Sequence, residues 1–168
     1  AIAGLDLDDA SVGYEFNRKS FLGRHWVRGP GWYPDFIVRL YNRSKAGYVD
    51  KYGHAGVEAP RVVRLPGHIL HYTYDDVSDW VAKINQVSSL DARGMFEAGR
   101  PPSAWEPATS ALASLFRQLV LRGGLFRGID GRTIAMTSAF RSYIKYLKLN
   151  ELHAAQDREG STAPPSAD

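Results

Sequence analysis

The residues of this chain that could do chemistry fall in a few short stretches. Asp6, Asp8 and Asp9 stand in LDLDDA near the start. Two carboxylates at i and i+2 after a strand can hold a hard divalent cation and a diphosphate. Acidic residues near a chain end more often face water, so no metal site is assigned to this chain. His54 stands in YVDKYGHAGVEAP. A neutral imidazole there could orient a sugar hydroxyl or a carboxylate, and a half-buried loop histidine explains it equally well. Glu58 would serve as a general base if it faced a cleft; a solvated carboxylate is the commoner case.

The other polar candidates sit among aromatic rings. GWYPDFIVRLYNR, residues 31–43, sets Trp32, Tyr33 and Asp35 at the mouth of an apolar strand and Arg39 inside it. An Arg in such a strand needs an acid partner to be tolerated, and Asp35 and Asp50 are the candidates. His71, Tyr72 and Tyr74 form a second polar-aromatic edge. Such rings join an apolar face to a polar tip, which suits stacking on a sugar ring and bonding its hydroxyls. A half-buried strand accounts for them too.

Three zones must position these residues. Residues 12–72 read as strand-rich. VGYEFNR (12–18) alternates, FIVRLY (36–41) follows a Gly-Pro-Gly turn, and HILHYTY (68–74) follows Pro66-Gly67. Residues 75–93 read as a helix, with Val77, Trp80, Val81, Ile84 and Val87 on one face and Thr73 and Asp76 as its capping box. EAGRPPSAWEP (97–107) reads as a linker. Pro107 suits the first turn of a helix whose apolar stripe is Ala108, Ala111, Leu112, Leu115, Phe116, Leu119 and Val120, ended by Gly123-Gly124. A last helix spans about 131–153, with Ile134, Ala135, Phe140, Tyr143, Ile144 and Leu147 inward or membrane-facing. The expected parts are a sheet and helix over 1–96, a basic amphipathic helical extension over 107–153, and a disordered tail over 154–168.

Composition narrows the function classes. The chain has 168 residues, 44% hydrophobic and 12% aromatic, enough to bury a core. It has no cysteine, which excludes disulfides, thiolate metal sites and a thiol nucleophile. Residues 1–106 hold 13 Lys/Arg and 13 Asp/Glu, whereas residues 107–153 hold seven basic residues against Asp130 and Glu151. The excess of charge lies in the helical extension and implies an anionic partner. No nucleic-acid-binding motif accompanies it, and nucleic acid is not expected. The chain does not begin with Met and reads as a piece of something longer.

These residues resemble a known family. Gly13-Tyr14-x-Phe16-x-Arg18, then FLGRHWVRGPGWYPDFIVRLYNR, GHAGVE and HILHYTYDDVSDWVAKINQVSSLDA, look like the C-terminal half of a family 2 glycosyltransferase. The subgroup is the lipopolysaccharide-core glucosyltransferase-like one. The segment LFRQLVLRGGLFRGIDGRTIAMTSAFRSYIKYLKL is similar to that subgroup's tail. The resemblance covers roughly residues 12–153. It implies an α/β fold: a partial GT-A-like mixed sheet with a C-terminal amphipathic helical extension, lacking the nucleotide-binding half. It implies Trp32, Tyr33, Asp35, Arg39, His71, Tyr72 and Tyr74 as acceptor-binding residues, and His54 and Glu58 as catalytic candidates. Arg117, Arg122, Arg127, Lys145 and Lys148 would dock the basic helices on an anionic membrane surface, at roughly 1 kcal/mol per basic residue. The location implied is cytoplasmic, peripheral on the inner face of the plasma membrane, where a glycolipid or oligosaccharide acceptor is met.

The departures matter as much. The family's nucleotide-binding half, with its metal-binding Asp-x-Asp, is missing, so nucleotide sugar and divalent Mg or Mn are expected of the complete enzyme and not of this chain. Where the family shows His-Glu this chain has His54-Ala55. That Glu is the base expected on the acceptor hydroxyl, which leaves Glu58 or Asp50 as substitutes, or no base. Arg127 stands where the family has Asp. Positioning of a held donor supplies about 7–11 kcal/mol and a base about 10²–10⁴-fold, so the isolated chain is expected not to turn over sugar nucleotide. The second reading is a non-catalytic membrane-surface or carbohydrate-binding module.

Overall fold

The structure, a computed structural model, describes residues 4–5, 8–9, 11–44, 48–51 and 54–162. It is mixed α/β and divides into two compact units, Ala1–Trp80 and Val81–Asp168. The division falls inside the first long helix, earlier than the boundary at 96 read from the sequence.

The spine of the first unit is β1 (Val12–Leu22). Lys19–Leu22 break the alternation, but pairing with β6 carries the strand beyond the expected 12–18. β6 (Arg61–Tyr74) runs parallel along one edge, from Val12↔Arg61 to Leu22↔Tyr74. On the other edge β3 (Phe36–Tyr41) pairs antiparallel with the first half of β1, and β2 (His25–Trp26) closes a hairpin on Phe21 and Leu22. β4 (Tyr48–Lys51) and β5 (His54–Val57) form a separate antiparallel hairpin.

Two irregularities correct the sequence reading. Pro66-Gly67, expected as a turn before a strand, lies inside β6. Arg64 pairs with Glu15 and His68 with Asn17, so Leu65, Pro66 and Gly67 together stand opposite Phe16. Gly67 takes φ +104°, which costs glycine little. The second is at Arg39. Tyr14 pairs with Leu40 and Glu15 with Val38, so Arg39 is the extra residue of a bulge. Its side chain is exposed, and no burial of its charge has to be offset.

The buried cluster of this unit is Val12, Tyr14 and Leu65, with Leu5, Phe16, Leu40 and Val63 packed against it. α1 (Val77–Glu97) follows β6. Its cap is not the expected Thr73, which lies within β6 at the register shift between Tyr72 and Tyr74, its Oγ1 donating to His71 O at 3.3 Å. Asp76 Oδ1 accepts from Asp79 N at 2.8 Å, and Asp79 Oδ2 accepts from Asp75 N at 3.2 Å. The capping box is shifted by one turn and made of two aspartates.

In the second unit α2 (Glu106–Phe116) continues into a π-helical turn, Arg117–Leu121. Gly123, at φ +68°, and a 3₁₀ turn, Gly124–Phe126, reverse the chain into α3 (Gly128–Thr162). α3 therefore extends nine residues into the stretch expected as a disordered tail; residues 163–168 lie outside the described residues. Arg141 Nη2 meets Asp91 Oδ2 at 2.8 Å. The Pro-rich linker is held to α3: Asn150 Oδ1 accepts from Ser103 N at 3.0 Å and Asn150 Nδ2 donates to Ser103 O at 2.8 Å. Arg100 is ion-paired with Glu106.

Candidate functional site

Pairing across β1 sorts the candidate residues onto two faces, because side chains of paired residues point the same way. Glu15, Asn17, Lys19 and Phe21 share one face with their β6 partners Arg64, His68, Leu70 and Tyr72. Trp26, paired with Phe21, joins them. Phe16, Arg18, Ser20 and Leu22 share the other face with Ile69, His71 and Tyr74.

Asp35 anchors the aromatic turn to this spine. Its carboxylate Oδ2 accepts from Arg18 Nε at 2.7 Å and meets Arg18 Nη2 at 2.6 Å. Its backbone N–H donates to Asn17 Oδ1 at 3.0 Å, and its carbonyl accepts from Arg18 N at 2.7 Å. Asp35, one of the two acids expected as candidates to partner Arg39, is paired with Arg18. The acid at the strand mouth is a clamp, and it divides Trp32 from Tyr33.

Trp32 goes to a packed aromatic triad. Its ring centroid lies 5.3 Å from Trp80 and 6.1 Å from Tyr74, and Tyr74 stacks on Trp80 at 5.6 Å and 13°. Trp80 is buried. Trp32 and Tyr74, expected to bind an acceptor, are therefore spent largely on each other and on Trp80.

Tyr33 goes to the open face. It meets Trp26 edge-on at 5.0 Å and stacks near His68 at 6.3 Å, with its hydroxyl 3.4 Å from His68 Nε2. Lys19 Nζ lies 4.5 Å and Arg28 Cζ 3.9 Å from the Trp26 centroid, close enough for cation–π attraction. Trp26 Nε1 is buried with no hydrogen-bond partner. Phe21 and Tyr72 stack at 5.2 Å, and Tyr72 stays 66% exposed. Rings with polar tips, beside two cations, can hold the apolar face of a sugar and bind oxyanions attached to it.

The opposite face, and the edge around the Pro66-Gly67 bulge where His68 reaches both, hold the rest. An open depression of about 510 Å³ is lined by Phe16, Arg39, Leu40, Pro66, Gly67, His68 and Ile69. His71 stands among Arg18, Arg39 and Asp35. Burial first, then the two arginines, push its imidazole below the ordinary 6.5, with Asp35 opposing. His71 is held neutral near neutral pH and suited to hydrogen bonding.

The catalytic candidates belong to the separate hairpin and the segment after it, not to the β1 spine. His54 lies on β5, and its side chain is outside the described residues. Glu58 is exposed just beyond that strand. The hairpin register sets Asp50 directly opposite Ala55. Asp9, from the acidic run, forms a turn instead of a ligand set: its Oδ1 accepts from Ser11 N at 3.0 Å and Ser11 Oγ at 2.6 Å. Asp6 lies outside the described residues.

Two of the five docking candidates make contacts within the helical unit. Lys148 Nζ donates to Asn85 O and Oδ1 at 2.7 Å, and to Ser88 Oγ and Ser89 Oγ at 2.8 Å. It stitches α3 to α1. Lys145 is half-buried beside Asp91 and Arg141, with its pKa lowered first by burial. Arg117, Arg122 and Arg127 are exposed. Sequence reasoning missed Lys19, Phe21, Trp26, Arg28 and His68. Parity along β1 would have put Lys19 and Phe21 together; the two-residue β2 gave no period to read.

The fold and site define a mixed α/β protein with an aromatic, cationic sheet face. No protein-family model and no solved structure matches it. In sequence it is similar to glycosyltransferases. It is 27% identical over 163 residues to the lipopolysaccharide core biosynthesis glycosyltransferase LpsC of Rhizobium meliloti, covering 92% of this chain and 58% of that protein. It is 27% identical over 125 residues to an uncharacterized glycosyltransferase of Rickettsia bellii, covering 68% of this chain and 42% of that one. A Rickettsia felis uncharacterized glycosyltransferase is 27% identical over 124 residues, with 68% and 44% covered. The chain spans about half the length of the curated relatives it matches.

Proposed function

We propose that this chain is the acceptor-binding and membrane-docking portion of an inverting glycosyltransferase with a partial GT-A-like sheet. The complete enzyme would transfer a sugar from a nucleotide sugar to a cell-envelope glycolipid or polysaccharide, from a cytoplasmic, peripheral position on the inner face of the plasma membrane. The observation that carries this is the similarity to LpsC across 92% of the chain.

The open face supports the acceptor role. Tyr33 and Tyr72 offer rings, His68 and the Tyr33 hydroxyl offer hydrogen bonds, and Lys19 and Arg28 offer charge. Asp35 and Trp32 act by positioning. The acceptor hydroxyl must lose a proton as it attacks. Asp50, opposite Ala55 in the hairpin, and Glu58 are the carboxylates proposed for it, and His54 would orient the acceptor. The nucleotide sugar and a divalent Mg or Mn belong to the complete enzyme. The described residues hold no group of three metal-ligating side chains, and Asp9 is engaged with Ser11, so no step is derived through a metal.

The test is donor-dependent transfer by the complete protein. Tyr72→Ala is expected to raise KM for the acceptor about tenfold with kcat little changed, the loss of one stacked ring. An unchanged acceptor KM would sink the assignment of this face. Ala55 favours the second reading, a non-catalytic carbohydrate-binding module: the complete protein would then bind acceptor and transfer nothing.

A further inference from the structure

The helical hairpin is built with its apolar side out. α2 turns Ser110, Ser114 and Gln118 toward α3. Gln118 Nε2 donates to Ser138 Oγ at 3.3 Å, and Ser110 Oγ donates to the Ser142 carbonyl at 3.4 Å. Ser114 and Gln118 are buried, whereas Leu112, Phe116 and Val120 are exposed along the opposite stripe. The outer edge of the expected apolar stripe of α2 is thus open to solvent, with Ala111, Leu115 and Leu119 half-buried beside it. On α3, Ile134 and Ala135 are buried, but Ile129, Met136 and Phe140 form an exposed row at helical spacing. A helix in water buries its apolar stripe. Helices that pack through small and polar residues and show apolar ones outward suit a lipid surround.

The turn joining them is the extreme case. Its interior is backbone: a Cβ on Gly124 would meet Gln118 O at 2.6 Å, and one on Gly131 would meet Gly124 O at 2.0 Å. With the inside closed, Leu121, Leu125, Phe126 and Ile129 point out, and Phe126 is 88% exposed. Arg117, Arg122, Arg127 and Arg132, all exposed, are interleaved with them, against Asp130 as the single acid of residues 117–132. No described helix is long and apolar enough to cross a membrane, so the hairpin would seat at a surface.

We propose that the turn between α2 and α3 inserts into the headgroup–acyl boundary of an anionic lipid leaflet, with Phe126 as its anchor and the arginines on lipid phosphates. This rests on the docking part of the proposed function and sharpens it, from charge attraction alone to insertion of an apolar wedge. It also moves the contact from Lys145 and Lys148, which are held within the helical unit, to the turn. Lipid fits better than a protein partner because regularly spaced arginines find phosphate at every position on a leaflet, beside apolar depth for the rings.

The experiment is co-sedimentation of the chain with vesicles of phosphatidylcholine, with and without phosphatidylglycerol, in low and high salt. Binding is expected only with phosphatidylglycerol. Phe126→Ser, at a site too exposed to hold the fold, is expected to weaken it about tenfold with helicity unchanged. Arg122→Ser with Arg127→Ser is expected to weaken it about tenfold or more and flatten its salt dependence. In Phe126→Trp, the added fluorescence should be quenched by brominated acyl chains. Vesicle binding unchanged by Phe126→Ser, with no quenching, would leave charge docking standing and overturn insertion. No binding by the unsubstituted chain would overturn both. Self-association abolished by Phe126→Ser, without vesicle binding, would make a second copy the occupant and overturn the proposal. Acceptor binding by the sheet face is read separately, in the transfer assay.

Discussion

The sheet unit and the helical unit solve the same problem in opposite ways. The sheet unit puts its large rings against one another and pins its charges in pairs: Trp32, Tyr74 and Trp80 pack together, and Arg18 holds Asp35. The helical unit joins its helices with serines, a glutamine and a lysine, and leaves leucines and phenylalanines outside. Burial of apolar area is the main source of stability in water, and both units use it. Val12, Tyr14, Leu65 and Trp80 are buried in the first, and Ile84, Ile134, Ala135 and Leu149 in the second. The second differs in also leaving a long apolar stripe outside. The difference teaches where each unit's specificity lies. In the sheet unit it is in packing, and the open face is free to bind a ligand. In the helical unit it is in hydrogen bonds set around a small core of Ile84, Ile134 and Leu149, and the outer apolar surface is left for an interface.

The comparison can be broken first at Trp80. Trp80→Ala removes the buried member of the aromatic triad and is expected to cost about 3–5 kcal/mol. Amide exchange should show protection lost in β1 and β6. Equal loss in α3 would mean that the two units do not differ in what holds them. The next largest effect is at Lys148. Lys148→Met keeps the stem and deletes the three donors shared among Asn85, Ser88 and Ser89, for an expected loss of about 2 kcal/mol in urea unfolding. A variant as stable as the parent would show that hydrogen bonds are not what joins α3 to α1.

A smaller effect is expected at the clamp. Arg18 and Asp35 are each about a quarter exposed, 28% and 22% by side chain, so solvent screens the pair. Asp35→Asn is expected to cost about 1 kcal/mol. The more telling readout is local: Tyr33 and Trp32 would lose their fixed assignment to opposite faces, and near-ultraviolet circular dichroism should change more than stability does. An unchanged aromatic signal would show that the turn is held by its rings and not by the acid.

Much of the sheet was legible because period two is a strong signal. FIVRLY is β3 to the residue, and VGYEFNR lies within β1. What failed were features that only pairing creates. Pro66-Gly67 signals a turn in isolation, yet a parallel partner carries the strand through it. Arg39 looks buried in an apolar run, yet a bulge turns it out. In the helices the period was legible and its sense was not: Leu112, Phe116 and Val120 form an exposed stripe, but spacing says only that residues share a face, not which face packs. The candidate site was legible as residue types and not as geometry. Trp32 and Tyr33 are neighbours in sequence and go to different faces, and Asp35, which resembles a ligand-binding acid, is consumed by Arg18. The partners that decide this, Arg18, Trp26, His68 and Trp80, lie in other elements.

The smallest expected effect is a pH dependence at His71, and it sharpens the picture of the sheet face opposite the open one. Burial, Arg18 and Arg39 lower its pKa in the folded protein, and Asp35 partly offsets them. A histidine with a lowered folded pKa binds fewer protons folded than unfolded. Its contribution to stability is whole above the unfolded value of about 6.5 and is lost as pH falls through that value, levelling only below the folded pKa. The melting temperature should therefore drop on acidification from about pH 7.5 to about pH 5.5, and the drop should be smaller in His71→Gln. Asp35→Asn removes the one opposing carboxylate and leaves Arg18 uncompensated beside the ring. The folded pKa should fall further, and the acid loss should extend to lower pH. Should His71→Gln melt with the same pH dependence as the parent, the proton would be taken up elsewhere, and His71 would not sense the two arginines across the sheet.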